Sequence, residues 1–422
     1  MDVEIISRPG ENGKGVVERI EVLFGSIPFE FKHAPGITMR GYIPQLSLTE
    51  WADYLHGDQN ARAGEFASMP ANFDIQVKQL HMFGRKIEDV RLLGSKEPEY
   101  WNVQVSSVDA SGRIAIPRDI TKGSLNLDLE RLHLVKIETQ DEDVAFDLDP
   151  RRIPTLEFAC ESLQFEAVEF GRAEIRTTRL DKGLKLDRLA FSNADFSVEA
   201  VGDWIIDERI HSSRLIIDVE SGALAPLLNR FDYTVANIEG GATNIHIDAS
   251  WQGTLADFTL DRMTGTFELH VVDGRFLDID PGSGRLFGLL SLQTLPRRLS
   301  FDFTDLFKKG FTFDSIDGVF ELELGNAYTN SLLMDGPAAR IDISGRTGLA
   351  EKDYDQHVVV TPALSSSIPL AAALFGPIGA GAGAVYFIGE KMFKSIPEQV
   401  NKFLTRKYTI KGSWEDPVVE RI

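Results

Sequence analysis

The sequence predicts a mainly β protein carried by a long antiparallel sheet. Three observations predict it. Apolar residues recur with a period of two in about twenty short runs, the pattern of a strand with one buried and one wet face. The runs often follow one another about every ten residues, divided by Gly, Asp or Asn turns, which suits antiparallel hairpins. Parallel pairs need crossovers of a dozen or more residues, and most gaps are shorter. Signals for helices are few.

Taken in order, Trp101, Val103 and Val105 alternate with polar neighbours, as do Leu125, Leu127 and Leu129, and then Val144, Phe146 and Leu148. The same period returns at Phe196, Val198 and Ala200, at Ile245, Ile247 and Ala249, and at Phe267, Leu269 and Val271. It continues through Leu299, Phe301 and Phe303, through Phe320, Leu322 and Leu324, and through Ile341 and Ile343. Ser47-Leu-Thr-Glu50 is a capping box that opens a short helix stopped by Gly57, and residues 221–229 and 283–295 are two further short helical segments. Trp204, Trp251 and Trp414 each end an alternating run after a small or polar pair, a weak repeat at irregular intervals. About twenty strands supply a long apolar face that three short helices cannot cover. The pattern alone favours closure into a sandwich or barrel; the alternative is a trough whose lining is covered by a ligand.

Composition narrows the partners. The chain has 422 residues, with 44 basic and 64 acidic side chains and a net charge of −20. Polyphosphate is repelled by such a surface, so no nucleic-acid partner is expected. Cys160 is the single cysteine, which rules out an internal disulfide, and it sits on the apolar phase of its strand as a small core residue. The first residues, Met1-Asp-Val-Glu, lack the basic start and apolar stretch of a signal peptide.

No catalytic constellation emerges. The eight histidines are scattered singly, without a zinc-binding spacing, and His246 and His270 fall on the polar phase of strands. Asp141, Glu142, Asp143, Asp147 and Asp149 read as a solvated edge. Asp278 to Gly284 begins like a calcium loop, but Leu289 stands where its closing acid belongs. Ser365 to Ser367 lacks the nucleophile elbow, and Gly379 to Ala384 lacks the βαβ unit a dinucleotide loop requires. Neither an enzymatic activity nor a metal or cofactor is therefore expected.

Near the end, Val358 to Gly389 carries no charge and is rich in Ala and Gly. Its length suffices for a membrane span, but Pro362, Pro369 and Pro377 argue against one straight helix and for an interfacial or re-entrant pair. The next stretch, Glu390 to Lys407, holds five basic and two acidic residues, and Ser395-Ile-Pro-Glu398 is a capping box for a basic amphipathic helix. Such a helix suits an anionic membrane surface, or else closes the end of the β-core. Leu374, Phe375, Phe387 and Phe393, with Lys391, Lys394 and Lys402, are the expected membrane-contacting residues of this tail.

The segment Pro281-Gly-Ser-Gly-Arg-Leu-Phe-Gly-Leu-Leu-Ser-Leu-Gln-Thr-Leu-Pro-Arg-Arg-Leu299 resembles the C-terminal region of the YhdP family, large members of the AsmA-like superfamily. The likeness continues through Phe301–Ile316, Met334–Arg346, Asp353-Tyr-Asp-Gln356, the Gly-Ala run and Gly412-Ser-Trp-Glu-Asp-Pro-Val418. It is specific over about the last 150 residues and looser upstream, where Leu46–Trp51 agrees. The resemblance implies a twisted, curved sheet that stays open as an apolar groove, and so reverses the preference for closure. It implies non-catalytic movement of phospholipid between the inner and outer membranes of a double-membraned envelope. It also implies a periplasmic position, an inner-membrane anchor that this chain lacks, and an outer membrane or docking partner met by the C-terminal end. Organisation on this reading is a loosely repeated groove over 1–260, a β-region over 261–360 with a helix near 283–295, a helical tail over 361–407 and a terminal strand over 408–422. If the apolar phase faces the groove, Phe267, Leu269, Phe301, Phe303, Phe320, Leu322, Ile341 and Ile343 line it. A closed structural or adhesive envelope protein without lipid is the alternative.

Overall fold

The computed structural model describes residues 2–9, 15–25, 35–47, 69–82, 85–120, 122–136, 149–225, 238–259, 261–277, 311–362 and 405–422. The chain packs as two compact units, Met1–Ser213 and Arg214–Ile422. Both are built from strands, as the period of two requires.

The first unit opens with β1 (Asp2–Pro9), β2 (Gly15–Phe24), β3 (Gly36–Ser47), β4 (Ala71–Met82), β5 (Arg85–Lys96) and β6 (Tyr100–Ser106). It continues with β7 (Ala110–Pro117), β8 (Ser124–Lys136), β9 (Thr155–Phe165), β10 (Val168–Leu180), β11 (Gly183–Ser192) and β12 (Phe196–Asp207). Strand β13 (Ile210–Ser221) begins in the first unit and ends in the second. From β1 to β12 each strand pairs with the next, and no pairing joins β1 to β12 among the described residues, so this sheet is open.

Three of these pairs are parallel: β2 with β3, β3 with β4, and β8 with β9. They refine the antiparallel expectation for a physical reason. Their connections, 25–35, 48–70 and 137–154, are among the long ones of the chain, and only a long connection returns a strand to the same direction. At one parallel seam Gly41 adopts φ 128°, and a Cβ there would stand 2.0 Å from the Phe24 carbonyl oxygen. Only glycine allows the two backbones this approach.

Strand β5 has three partners. Arg91–Lys96 pair with β6, while Arg85 and Lys86 pair with Val135 and Lys136 of β8. The short hairpin β6–β7 is thus wedged between the longer β5 and β8 over part of their length. The sheet has four strands at one end of this wedge and two at the other, which bends it locally.

The second unit contains β14 (Ile238–Gln252), β15 (Thr264–Phe276), β16 (Phe311–Glu323), β17 (Asn326–Asp335), β18 (Ala339–Gly348), β19 (Asp353–Pro362), β20 (Arg406–Ser413) and β21 (Val418–Arg421). From β14 to β21 every recorded pairing is antiparallel and joins successive strands. The β16–β17 turn has Leu324 and Gly325 both at positive φ, 48° and 76°, as a two-residue hairpin demands. Leu349 and Ala350 donate their amides to the Gly325 carbonyl and hold the turn.

The three repeated tryptophans end their strands as latches. Trp204 donates its indole N–H to His211 Nδ1 at 2.9 Å, Trp251 to the Thr254 carbonyl at 2.8 Å, and Trp414 to the Asp353 carbonyl at 3.1 Å. Each satisfies its one donor, and Trp204 and Trp251 bury their rings, at 5 % and 4 % exposed.

The helical expectations fall largely on other ground. Ser47 ends β3, and the rest of its proposed helix lies outside the described residues, as do 283–295, the uncharged run beyond 362 and the basic helix to 404. Of 221–229, the described part shows helix at Leu224 and Ala225. The C-terminal helical segment is therefore not confirmed. No helix among the described residues is long and apolar enough to cross a membrane.

Candidate functional site

The period of two sorts each sheet into an apolar and a polar face. In the first unit the register aligns one apolar track across twelve strands. It runs Val3, Val22, Met39, Phe73, Gly94, Val103, Ile114, Leu127, Phe158, Ile175, Leu189 and Ala200. At the usual strand spacing this track is about 50 Å long. Its neighbours Val77, Val90, Leu129, Cys160 and Ala173 are buried, while Phe73, Ile75, Leu92, Ile114, Phe158 and Phe191 pack against them only partly buried. Burial pushes the Cys160 thiol up, as suits a core residue.

In the second unit the corresponding track runs Ile245, Leu269, Gly318, Leu332, Ile343, Val358 and Tyr408. A parallel row places Met334 against Ile316 and Ile341, and Ile341 against Val360. Six of the eight residues expected to line a groove meet on this face. Phe267 and Leu269 are each 9 % exposed, Leu322 2 %, Ile343 1 %, and Phe320 and Ile341 0 %. Phe267 and Phe320 touch edge to face with centroids 5.8 Å apart. The other two, Phe301 and Phe303, lie outside the described residues. So do the tail residues Leu374, Phe375, Phe387, Lys391, Phe393, Lys394 and Lys402.

Three polar side chains on this face are hydrogen-bonded within it. Thr243 and Thr329 donate to the Gly241 and Val319 carbonyls, each at 2.8 Å. Gln356 Nε2 donates to Thr347 Oγ1 at 2.7 Å, and both residues are 1 % exposed. Burial alone raises the Tyr354 phenol well above its ordinary range, so it stays neutral against the Trp414 ring. Such a face offers dispersion contacts and almost no polar ones.

The opposite faces are zipped by cross-strand ion pairs. Arg91 holds Asp74 through two bonds of 3.0 and 2.9 Å, Lys78 holds Asp89 at 2.8 Å, and Arg214 holds Asp248 at 3.0 and 2.8 Å. His246 lies 2.6 Å from Asp218, and His270 pairs with Asp317. Hydrogen bonding to Asp218 raises the His246 pKa, and Arg214 lowers that of Asp248. These histidines sit on the polar phase where the sequence places them. Among the described residues no group of three or more acids, histidines or cysteines is arranged to hold a metal.

The sequence reasoning singled out lining residues only in the second unit and passed over Phe73, Ile75, Leu92 and Phe158. Their signal was the same period of two. What the pattern lacks is any mark of which stretch of apolar face is left accessible.

An apolar track running across strand after strand in an open sheet is the geometry that the resemblance implies. A family model described as YhdP protein matches residues 5–419. The chain belongs to the YhdP family. The Intermembrane phospholipid transporter YhdP of Escherichia coli (strain K12) is 26 % identical over 389 residues, which cover 90 % of this chain and 30 % of that protein. The chain thus spans about a third of the length of this YhdP relative. No solved structure matches.

Proposed function

We propose that this chain is a segment of a lipid conduit, in which phospholipid acyl chains lie against the apolar face while headgroups stay in water. Two acyl chains hold about thirty methylenes, and exposing each costs ~0.8 kcal/mol, so free passage through water meets a barrier of roughly 20 kcal/mol or more. A continuous apolar track removes most of that barrier without bond chemistry. The observation that carries the reading is the unbroken apolar register of the first unit, about 50 Å long and only partly buried. The relative's printed role in intermembrane phospholipid transport agrees with it.

On this reading the site is the periplasm, the transported partner is phospholipid, and no step is enzymatic. The lining open to a guest is the face of Phe73, Ile75 and Leu92 in the first unit; Phe267, Leu269, Phe320, Leu322, Ile341 and Ile343 form the corresponding apolar face of the second unit, which is closed. Phe301 and Phe303 extend it, and the tail from Leu374 to Lys402 meets a membrane, the outer membrane or its docking partner. Photo-crosslinking in cells tests the lining. A crosslinker at Phe73 or Ile75 is expected to capture phospholipid, and one at Asp74 or Gln76, on the other face of the same strand, is not. Capture from Asp74 and Gln76 alone would sink the proposal.

A further inference from the structure

The three parallel pairs of the first unit have a common sense. Strands β2, β3, β4, β8 and β9 all run the same way, because β4 to β8 alternate through antiparallel pairs. The strands also follow one another across the sheet in chain order, so β2 to β3, β3 to β4 and β8 to β9 each step to the same side. Each connection must travel back along a strand. Ser47 is level with His81 while Ala71 is level with Ile37, and Leu134 is level with Phe165 while Thr155 is level with Ser124. Connections between parallel strands of one sheet are right-handed in about 98 % of cases. One direction, one step and one hand put 25–35, 48–70 and 137–154 on one face of the sheet.

Chirality also says which face. A right-handed connection lies toward the viewer when the strand runs upward and the next strand is to its right. In an upward strand of L-residues, a side chain that points at the viewer has its own amide and carbonyl pointing right. The face crossed is therefore that of residues whose backbone groups reach for the next strand. Ile37 of β3 donates its amide to the Pro70 carbonyl, immediately before β4, at 2.8 Å. Leu134 of β8 accepts from the Glu166 amide, immediately after β9, at 2.8 Å. Ile37 stands between Ile20 and Ala71, two residues from Met39 of the apolar track, and Leu134 packs against the buried core of that face. Two hydrogen bonds, on different strands, give the same answer.

We infer that connections 25–35, 48–70 and 137–154 cross the apolar face, and that the strip between them, over β5 to β7, is where phospholipid comes onto and leaves the track. Strands β5, β6 and β7 are joined by the short connections 97–99 and 107–109, which turn at the ends of the sheet. From β4 to β8 the strip spans four strand spacings, about 19 Å. Leu92, Ile114 and Ile116 stand on it only partly buried, and Phe73, whose ring lies across Gly94 of β5, stands at its border. The inference rests on the lipid-conduit reading for the identity of the guest, but the path of the connections does not depend on it.

Photo-crosslinking of the full chain in cells, followed by mass spectrometry, tests both parts. A benzophenone side chain at Ile43 or Leu134, on crossed strands, is expected to capture peptides of 48–70 or 137–154. The same group at Tyr42 or His133, on the other face of the same strands, is not. At Leu92 or Ile114 it is expected to capture phospholipid, at least fivefold more than at Ile43 or Leu134. Circular dichroism identical to the parent shows that each variant folds. Capture of the connections from Tyr42 and His133, or from neither face, would overturn the crossing. Equal phospholipid capture at Ile43, Leu134, Leu92 and Ile114 would overturn the strip as the place of entry. Connections captured from Ile43 and Leu134, with no phospholipid at Leu92, Ile114 or Phe73, would sink the conduit and the place of entry and leave the crossing standing.

Discussion

The two units share one sequence pattern and reach different degrees of closure. In the second, β16 alternates almost without fault between buried and exposed positions, and Phe313, Ile316 and Phe320 are all 0 % exposed. In the first, β7 has one buried residue, Ala110, and otherwise intermediate or exposed ones, and β11 relaxes to intermediate burial after Leu186. Both faces are apolar, so hydrophobicity does not distinguish them. What differs is whether the face is withdrawn from water. A closed face contributes stability in proportion to the area it buries; a partly open one keeps part of that area for a guest.

Placing a carboxylate on each face breaks this comparison most forcefully. Phe320→Asp buries an unpaired charge at a fully closed position and removes an aromatic ring, at a cost of several kcal/mol. The expected outcome is loss of amide protection throughout β14–β20 in hydrogen exchange. Ile75→Asp, on the partly buried face, is expected to cost much less and leave protection in both units, while abolishing phospholipid capture from a crosslinker at Phe73. Equal loss of protection in the two variants would show that the faces are closed alike.

Backbone approach gives the next effect. Gly41→Val forces a β-branched residue to φ 128° with its Cβ about on the Phe24 carbonyl. The parallel β2–β3 seam must then open, at a cost of order 2–3 kcal/mol. Loss of protection confined to β1–β3, with β4–β12 intact, is the expected exchange pattern. Unchanged protection of β2 would refute the tight seam.

Much of the fold was legible because a strand announces its buried face every second residue. Phe267, Phe320 and Ile341, chosen from alternation alone, do share one face, and His246 and His270 do stand on the other. The three parallel pairs were less legible. Whether 25–35 or 48–70 returns the chain parallel or antiparallel is decided by which neighbour the next strand finds, and no local residue encodes that. The wedge of β6–β7 between β5 and β8 is equally silent, since it depends on strand length and on one two-residue pairing.

A smaller effect probes the polar contents of the closed face. Gln356→Ala leaves the Thr347 hydroxyl without its 2.7 Å partner at a site 1 % exposed. The expected cost is about 1–3 kcal/mol, read as a lower urea midpoint for the second unit. The double variant Gln356→Leu with Thr347→Val, which removes both partners at similar volume, should recover most of it. If the double variant is as unstable as the single one, the loss is packing rather than an unsatisfied polar group.

The smallest effect lies on the outer face and depends on pH. His246 faces Asp218 from β13, Glu268 directly opposite on β15, and Asp248 two residues along its own strand. Its hydrogen bond to Asp218 leads the causes that raise its folded pKa above the ordinary 6.5. A raised histidine contributes stability that is fully present below pH 6.5 and is lost as pH rises through the folded value. The side chain is 41 % exposed, so solvent screening reduces the contribution to a few tenths of a kcal/mol. Arg214 and Asp248 act with the opposite sign at acid pH: the Asp248 pKa is lowered, and that stability is lost as pH falls through its folded value. Between these limits the outer face of β13–β15 is at its most stable. Replacing Asp218 with Asn should bring the His246 titration, followed by NMR, back toward 6.5 and flatten the decline of the urea midpoint above neutral pH. A His246 titration that does not move in Asp218→Asn would assign the raised value to Glu268 and Asp248 instead, and the cross-strand pair would then be geometry without energetic consequence.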